Sequence, residues 1–166
     1  NNFSLVRYAE HIATSETDFN NFLISLKSPI IKHFFANIVK NFLQHLPKEE
    51  PILFCISIPF PGCFTQAMYL AQQIKLWSTQ NQTKSIIAIG GGYCSTELRQ
   101  TTEPKLKDFV DFISYDRGYA TYYELLSRLQ NTKWNKQQSL SAPIYNAKIF
   151  FTEEPSINDN SINDNS

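Results

Sequence analysis

The chain has 166 residues, a length that corresponds to one domain with a hydrophobic core of its own. Hydrophobic residues make up 42% of it and charged residues 18%, which excludes a chain that is disordered throughout. The 15 basic residues balance the 15 acidic ones, so the charge excludes an electrostatic case for nucleic acid or an anionic membrane as partner.

The N-terminal part of the chain has the apolar spacing of helices. Residues 3–12 and 19–26 are predicted as two short helical segments. Ser28 and Pro29 then mark the start of a longer amphipathic helix that ends near Pro47. The apolar stripe of this helix consists of Ile30, Ile31, Phe34, Phe35, Ile38, Val39, Phe42, Leu43 and Leu46.

Strands and helices alternate in the middle of the chain. The predicted order is strand 52–58, helix 64–78, strand 85–89, short helix 104–109, strand 112–115 and helix 121–129. This alternation is typical of a parallel sheet with right-handed crossovers. The sequence therefore predicts a Rossmann-like (flavodoxin-like) α/β fold, a three-layer sandwich with a mostly parallel sheet, N-terminal helices and a C-terminal hairpin or edge strand. Three core strands are few for such a sheet, so the first βαβ unit is either lost or supplied by a partner.

Composition divides the chain into three parts. Residues 1–130 are predicted as the α/β domain and residues 131–155 as a polar linker with a β-hairpin or edge strand. Residues 156–166 repeat Ser-Ile-Asn-Asp-Asn and are predicted as a disordered tail. The sequence contains no apolar stretch as long as a membrane span and opens with no basic-then-apolar leader, so we expect a cytoplasmic protein outside membranes. The three cysteines lack metal-ligand spacing and are expected to be reduced structural thiols.

Three loops that suit a ligand follow the three predicted strands. They are residues 57–63, with two prolines and a glycine, residues 90–99, which begin with three glycines, and residues 116–119. Because the carboxyl ends of parallel strands meet at one edge of a sheet, we expect these loops to lie together where α/β proteins bind small molecules. A purely structural interpretation stays open for the first two loops. Residues 57–63 can form a tight turn without a ligand, and in residues 90–99 a Glu97–Arg99 ion pair can serve only to fix the loop.

Catalytic motifs are not found in this sequence. The glycine run is neither a G-x-G-x-x-G dinucleotide fingerprint nor a P-loop, because the later glycine and the Gly-Lys-Ser/Thr are missing. His11, His33 and His45 are predicted to be solvated or to cap helices, and no nucleophile elbow accompanies them. We therefore expect that the chain alone is not a complete enzyme.

Four stretches of the sequence together resemble a known family: residues 7–11 (RYAEH), 57–62 (SIPFPG), 90–99 (GGGYCSTELR) and 110–113 (VDFI). They are similar to the radical S-adenosylmethionine proteins that carry an N-terminal cobalamin-binding domain. The likeness covers about residues 3–130, and the glycine loop with Thr-Glu-Leu-Arg is its most specific part.

The resemblance implies a corrin cofactor, cobalamin, at the three loops. In such domains a serine after one strand and a Gly-Gly after the next hold the cofactor, and Ser57 and Gly90–Gly91 occupy those places here. The cofactor-binding residues implied by the resemblance are Ser57, Pro59, Gly62, Gly90, Gly91, Gly92, Tyr93, Thr96, Glu97, Asp116 and Gly118. The implied setting is methyl transfer, or modification of a peptide or natural product, with a catalytic radical S-adenosylmethionine barrel or a peptide as partner.

Three departures from the family pattern bear on this expectation. The Asp-x-His-x-x-Gly motif is absent, so cobalamin would bind without an axial histidine from this chain. The Cys-x-x-x-Cys-x-x-Cys motif is absent too, so S-adenosylmethionine and an iron–sulfur cluster belong to a catalytic module outside this sequence. Asp116-Arg117-Gly118-Tyr119 stands where the family has Asp-Gly-Glu. The chain therefore looks like a fragment or a reduced stand-alone relative of a larger enzyme.

Two alternative functions remain open at the level of sequence. The first is a degenerate, cofactor-free partner protein that uses the same edge to bind a peptide or a maturation enzyme. The many aromatic residues, 14% of the chain, and the missing axial histidine favour it. The second is a flavodoxin-like domain that binds a different nucleotide.

Overall fold

The computed structural model describes residues 27–29 and 31–150. The helices predicted over residues 3–12 and 19–26 and the tail 156–166 lie outside the described residues. The helices are α1 (Ala36–Gln44), α2 (Phe64–Asn81), α3 (Gly92–Ser95), α4 (Tyr119–Asn131) and α5 (Lys136–Ser139). The strands are β1 (Ile52–Ser57), β2 (Ser85–Gly90), β3 (Phe112–Ser114) and β4 (Ala147–Ile149). A π-helical turn (Ile31–Phe35) leads into α1, and 3₁₀ turns (Pro61–Cys63 and Pro104–Asp108) precede α2 and β3.

The four strands form one sheet in the order β1-β2-β3-β4. β1 pairs with β2, and β2 with β3, in parallel, with Ser57 opposite Gly90 at the carboxyl end of the first pair. β4 pairs with β3 in the antiparallel sense, with Ser114 opposite Ala147. The predicted α/β class and the mostly parallel sheet are confirmed, and of the two C-terminal alternatives the edge strand is the one observed.

The central strand β2 is buried on both faces, as its continuous apolar sequence predicts. Ile87 and Ile89 belong to one core cluster, which also contains buried residues of α1 and α2. Ile86 and Ala88 belong to a second cluster, which contains buried residues of α4. Residues of one strand alternate between two faces, so the two faces of β2 contribute to different clusters.

The sequence overestimates the burial of β1 and α1. β1 corresponds to the first of the three predicted core strands, but among the described residues it is an edge strand in which Cys55 and Ser57 are exposed. In α1 and the turn before it, Phe34, Ile38 and Phe42 are exposed by 68%, 52% and 47%. The apolar stripe is therefore wider than the surface that the described residues cover.

One smaller difference concerns a segment that flanks the sheet. The segment 131–141, predicted as a polar linker, contains α5 and buries Ser139 and Leu140. Ser28 acts as predicted at the start of the first helical turn, where its Oγ accepts a hydrogen bond from Ile31 N at 3.4 Å. None of the described helices has the length and apolarity needed to cross a membrane.

Candidate functional site: a rim at the carboxyl ends of the strands

The three predicted loops meet at the carboxyl ends of the parallel strands. We call residues 57–63, 90–99 and 115–118 together the rim. Ile58 N donates to Gly90 O at 2.7 Å, and Tyr93 N donates to Ile58 O at 3.1 Å, which joins the first two loops. Asp116 N donates to Ser95 Oγ at 2.7 Å, which joins the third loop to the second. The structure thus brings the three loops together on one edge of the sheet.

Gly91 and Gly92 allow the first loop of the rim to pack closely against the second. Gly91 has φ +107°, a conformation that side chains disfavour, and a Cβ built on it would lie 2.7 Å from Ile58 O. A Cβ on Gly92 would lie 2.9 Å from Pro59 O. The space that the missing side chains of Gly91 and Gly92 leave is therefore filled by the backbone of the first loop.

The residues predicted to bind a cofactor fall into two groups by exposure. Those exposed on the rim are Ser57, Pro59, Gly92, Thr96, Glu97 and Asp116, and those buried or half-buried beneath it are Gly62, Gly90, Gly91, Tyr93 and Gly118. Tyr93 packs its ring on Phe64, with ring centroids 5.5 Å apart, and burial raises the pKa of its hydroxyl. The surface available to a ligand is thus smaller than the predicted set.

An ion pair fixes the third loop. Arg99 Nη2 lies 2.5 Å from Asp116 Oδ1, and Asn146 Nδ2 donates to Asp116 Oδ2 at 2.7 Å. The hydrogen bonds from Arg99 and Asn146 hold the pKa of the Asp116 carboxyl below its usual range. The Arg99 guanidinium also lies over the Tyr115 ring, 4.9 Å from its centroid.

The Glu97–Arg99 ion pair, which the sequence left open, does not form, because both side chains have other partners. Thr96 Oγ1 donates to Glu97 Oε2 at 2.6 Å. Arg99 Nε donates to Ser95 O at 2.9 Å, and the rest of its guanidinium turns to Asp116. Sequence reasoning named Asp116 but missed Asn146, which comes from the segment after α5 and carries no local signal for this contact.

Two cavities lie away from the rim. One is at the amino ends of the strands and is lined partly by Lys48, Lys84, Lys133 and Trp134. The other lies between α1 and α2. The cavity at the amino ends of the strands is bordered by the C-terminal ends of α2 and α4. The C-terminal end of a helix carries a partial negative charge, which accounts for the lysines that line this cavity.

His33 lies in the turn before α1, and His45 caps the end of α1. His11 lies outside the described residues. The described residues contain no group of three or more His, Cys, Asp or Glu side chains that could bind a metal ion. The three cysteines form no disulfide: Cys94 is buried and Cys63 is exposed, whereas Cys55 is exposed as a residue although its thiol is partly desolvated.

Comparisons of the chain with family models, with curated proteins and with solved structures found no match.

Proposed function

We propose that this chain is a cobalamin-binding module that resembles the N-terminal domains of radical S-adenosylmethionine enzymes and binds the corrin at the rim. The observation that supports the proposal is the joining of three loops along one edge by hydrogen bonds, two between backbone groups and one from Asp116 N to the Ser95 hydroxyl. A rim of this kind at the carboxyl ends of parallel strands is where open α/β sheets bind their ligands. The full proposal includes a flavodoxin-like, three-layer arrangement of the domain.

The exposed groups of the rim fit the periphery of a corrin, whose amide side chains both donate and accept hydrogen bonds. Ser57 offers a hydroxyl, and the Thr96 hydroxyl and the Glu97 carboxylate, which are hydrogen-bonded to each other, can each accept a further hydrogen bond. Residues 57–63, 90–99 and 115–118 contain no histidine, so the rim residues fit a cofactor that takes no axial imidazole from them. Bound cobalamin would supply methyl-transfer chemistry at its cobalt, and this chain would bind and orient it.

The catalytic step belongs, in this proposal, to another module. A radical S-adenosylmethionine barrel with its iron–sulfur cluster would face the exposed side of the corrin in the cytoplasm. Its substrate would be a methyl acceptor, a peptide or a natural product. The rim residues that we place against the cofactor carry out no acid–base or nucleophilic step themselves.

The proposal is tested by titrating the purified protein with hydroxocobalamin and following the visible absorption spectrum. Saturable binding with a spectral shift is expected for the native chain. Ser57→Tyr puts a ring on the exposed rim and should abolish the shift. Thr79→Tyr, at an exposed position near the other end of α2, is the matched control and should bind normally. An unchanged spectrum at saturating hydroxocobalamin would overturn the proposal.

The packing of Gly91 and Gly92 against the first loop favours a second candidate function. Since the first loop fills the space beside these glycines, the rim also suits a cofactor-free protein whose exposed Arg99–Asp116 pair contacts a peptide or a maturation enzyme. Here hydroxocobalamin would not bind, and a second polypeptide would co-purify in stoichiometric amount. Asp116→Arg should release that polypeptide, whereas Thr79→Arg should leave it bound.

A further inference from the structure

The N-terminal end of α4 adjoins the third loop of the rim. α4 has 13 residues, and its first hydrogen bond runs from Tyr122 N to Gly118 O at 2.8 Å. The N–H groups of Tyr119, Ala120 and Thr121 come before this bond and therefore have no acceptor within the helix. Together with the aligned peptide dipoles, these groups give the end of the helix about half a positive elementary charge.

Among the described residues, no side chain caps this end of α4. The N-cap residue is Gly118, at φ +69°, whereas a capping residue is usually Ser, Thr, Asp or Asn, whose side-chain oxygen accepts from the first turn. A Cβ on Gly118 would lie 2.8 Å from Ser114 Oγ and 3.1 Å from the Tyr122 ring. Because position 118 has no room for a side chain, an acceptor for the first turn has to come from elsewhere.

Ser114, the last residue of β3, is an independent indication of a ligand at the same place. Ser114 is 2% exposed, and its Oγ has no hydrogen-bond partner among the described residues. Buried hydroxyls are rarely left unpaired, because the lost hydration is not repaid, and an ion or a ligand is a common explanation for one that is. Since Oγ packs directly on Gly118, the unpaired hydroxyl and the first turn of α4 meet at this glycine.

The charges beside the helix end favour an anion. Arg117 is exposed, and no described carboxylate forms an ion pair with it. The Asp116 carboxylate, next to it in the chain, is already engaged by Arg99 and Asn146. An anion at the end of α4 would therefore meet one guanidinium and the positive end of a helix, while the adjacent carboxylate is neutralised by its own partner.

We propose that the N-terminal end of α4 binds a phosphate group. The N–H groups of Tyr119 and Ala120 and the Ser114 hydroxyl donate to its oxygens, and the Arg117 guanidinium balances its charge. A phosphate fits these donors because it has several charged oxygens that accept from different directions. The site does not depend on cobalamin, and it is tested without it. The phosphate is either the free ion or the ester group of a larger ligand.

Titration of the isotope-labelled full chain with inorganic phosphate tests for the site by nuclear magnetic resonance. The ionic strength is held constant with sodium chloride, so that a general salt effect is excluded. We expect saturable shifts of the amides of Tyr119, Ala120 and Thr121. The amides of Leu129 and Gln130, near the other end of α4, should not move.

Adenosine monophosphate and adenosine distinguish the two sources of the phosphate. Adenosine monophosphate that binds at least about tenfold more tightly than inorganic phosphate identifies the ester of a larger ligand, and equal or weaker binding identifies the free ion. Adenosine alone should leave the amides of the first turn unchanged. Adenosine that binds as tightly as its monophosphate would overturn the proposal, because the phosphate would then contribute nothing.

Ser114→Ala should raise the dissociation constant for inorganic phosphate by about tenfold or more, because it removes a hydrogen bond to a charged group. It breaks no hydrogen bond between described residues, so the free energy of unfolding should not fall. Ser78→Ala is the matched control. Ser78 is also buried and its Oγ also has no partner among the described residues, but it lies on α2, so this variant should bind phosphate normally.

Variants of two exposed cations complete the test. Arg117→Gln should weaken phosphate binding by about two- to fivefold, as expected for a solvent-exposed charge. Lys133→Gln, just beyond the other end of α4, should not weaken it. If Ser114→Ala does not fold, the native chain and Arg117→Gln decide. The absence of a saturable shift in the native chain, or unchanged dissociation constants in the folded Ser114→Ala and Arg117→Gln variants, would overturn the proposal.

Discussion

Gly91 lies so close to Ile58 that a Cβ on the glycine would meet three backbone atoms of Ile58 at 2.7–3.0 Å. Gly90, its neighbour in the chain, has room: the closest atom to a Cβ there is Ser114 O, at 3.4 Å. The two adjacent glycines are therefore under different steric constraints. The position of the first loop of the rim requires a glycine at 91 and not at 90.

Gly91→Ala is expected to destabilise the protein strongly. Its positive φ costs about 1–3 kcal/mol for a residue with a side chain, and the contact with the Ile58 backbone adds to this cost. Gly90→Ala is the matched control and should change the free energy of unfolding by less than about 1 kcal/mol, because Ala suits a strand better than Gly. Urea unfolding of both variants measures the difference. Equal effects would contradict the packing of the two loops.

A buried carboxylate stabilises the start of β3. Asp111 is 4% exposed, and its Oδ2 accepts a hydrogen bond from Ile87 N at 2.9 Å. Its Oδ1 lies 2.8 Å from Lys136 Nζ and 3.8 Å from Lys75 Nζ, so α5 and α2 contact the same side chain.

Asp111→Ala should lower the free energy of unfolding by about 1–3 kcal/mol, since it leaves the buried Ile87 N–H without its acceptor and removes the carboxylate that Lys75 and Lys136 share. Lys136→Gln is expected to cost clearly less, because the Lys136 side chain is 32% exposed and Lys75 remains. Chemical unfolding of the single and double variants measures both effects. Additive losses would show that the two residues do not interact.

Local patterns predicted most of the fold because its strands and helices agree with their own sequences. The run of apolar residues in β2 identifies a central strand without any tertiary information. The exposure of Phe34 could not be predicted, because an apolar stripe does not say which surface covers it. Proximity of Asn146 to Asp116 could not be predicted either, since it depends on the antiparallel return of β4.

The Asp116 carboxyl should make stability depend on pH in the acidic range. Hydrogen bonds from Arg99 and Asn146 lower its pKa in the folded state below the ordinary value of 3.8. A lowered pKa means that the stabilising contribution is complete above the ordinary value and is lost as the pH falls through the folded-state value. The stability difference between the native chain and Asp116→Asn should therefore shrink below about pH 4.

Nuclear magnetic resonance titration of the Asp116 carboxyl checks this prediction directly. In Asn146→Ala the pKa should rise but stay below 3.8, because the hydrogen bond from Arg99 remains as the largest cause. In Arg99→Met it should rise further. A carboxyl that titrates at its ordinary pKa in the native chain would contradict the geometry of the network.

The three thiols should react at different rates with Ellman's reagent. Burial raises the pKa of the Cys94 thiol to about 12, so almost none of it is thiolate at pH 8. Burial also raises the pKa of Cys55, whereas Cys63 is exposed in a 3₁₀ turn of the rim. We expect Cys63 to react first, Cys55 more slowly and Cys94 only on unfolding. Cys63→Ser should remove the fastest phase and leave the other two unchanged. Three thiols that react equally fast in the native protein would contradict the burial of Cys94 within the glycine loop.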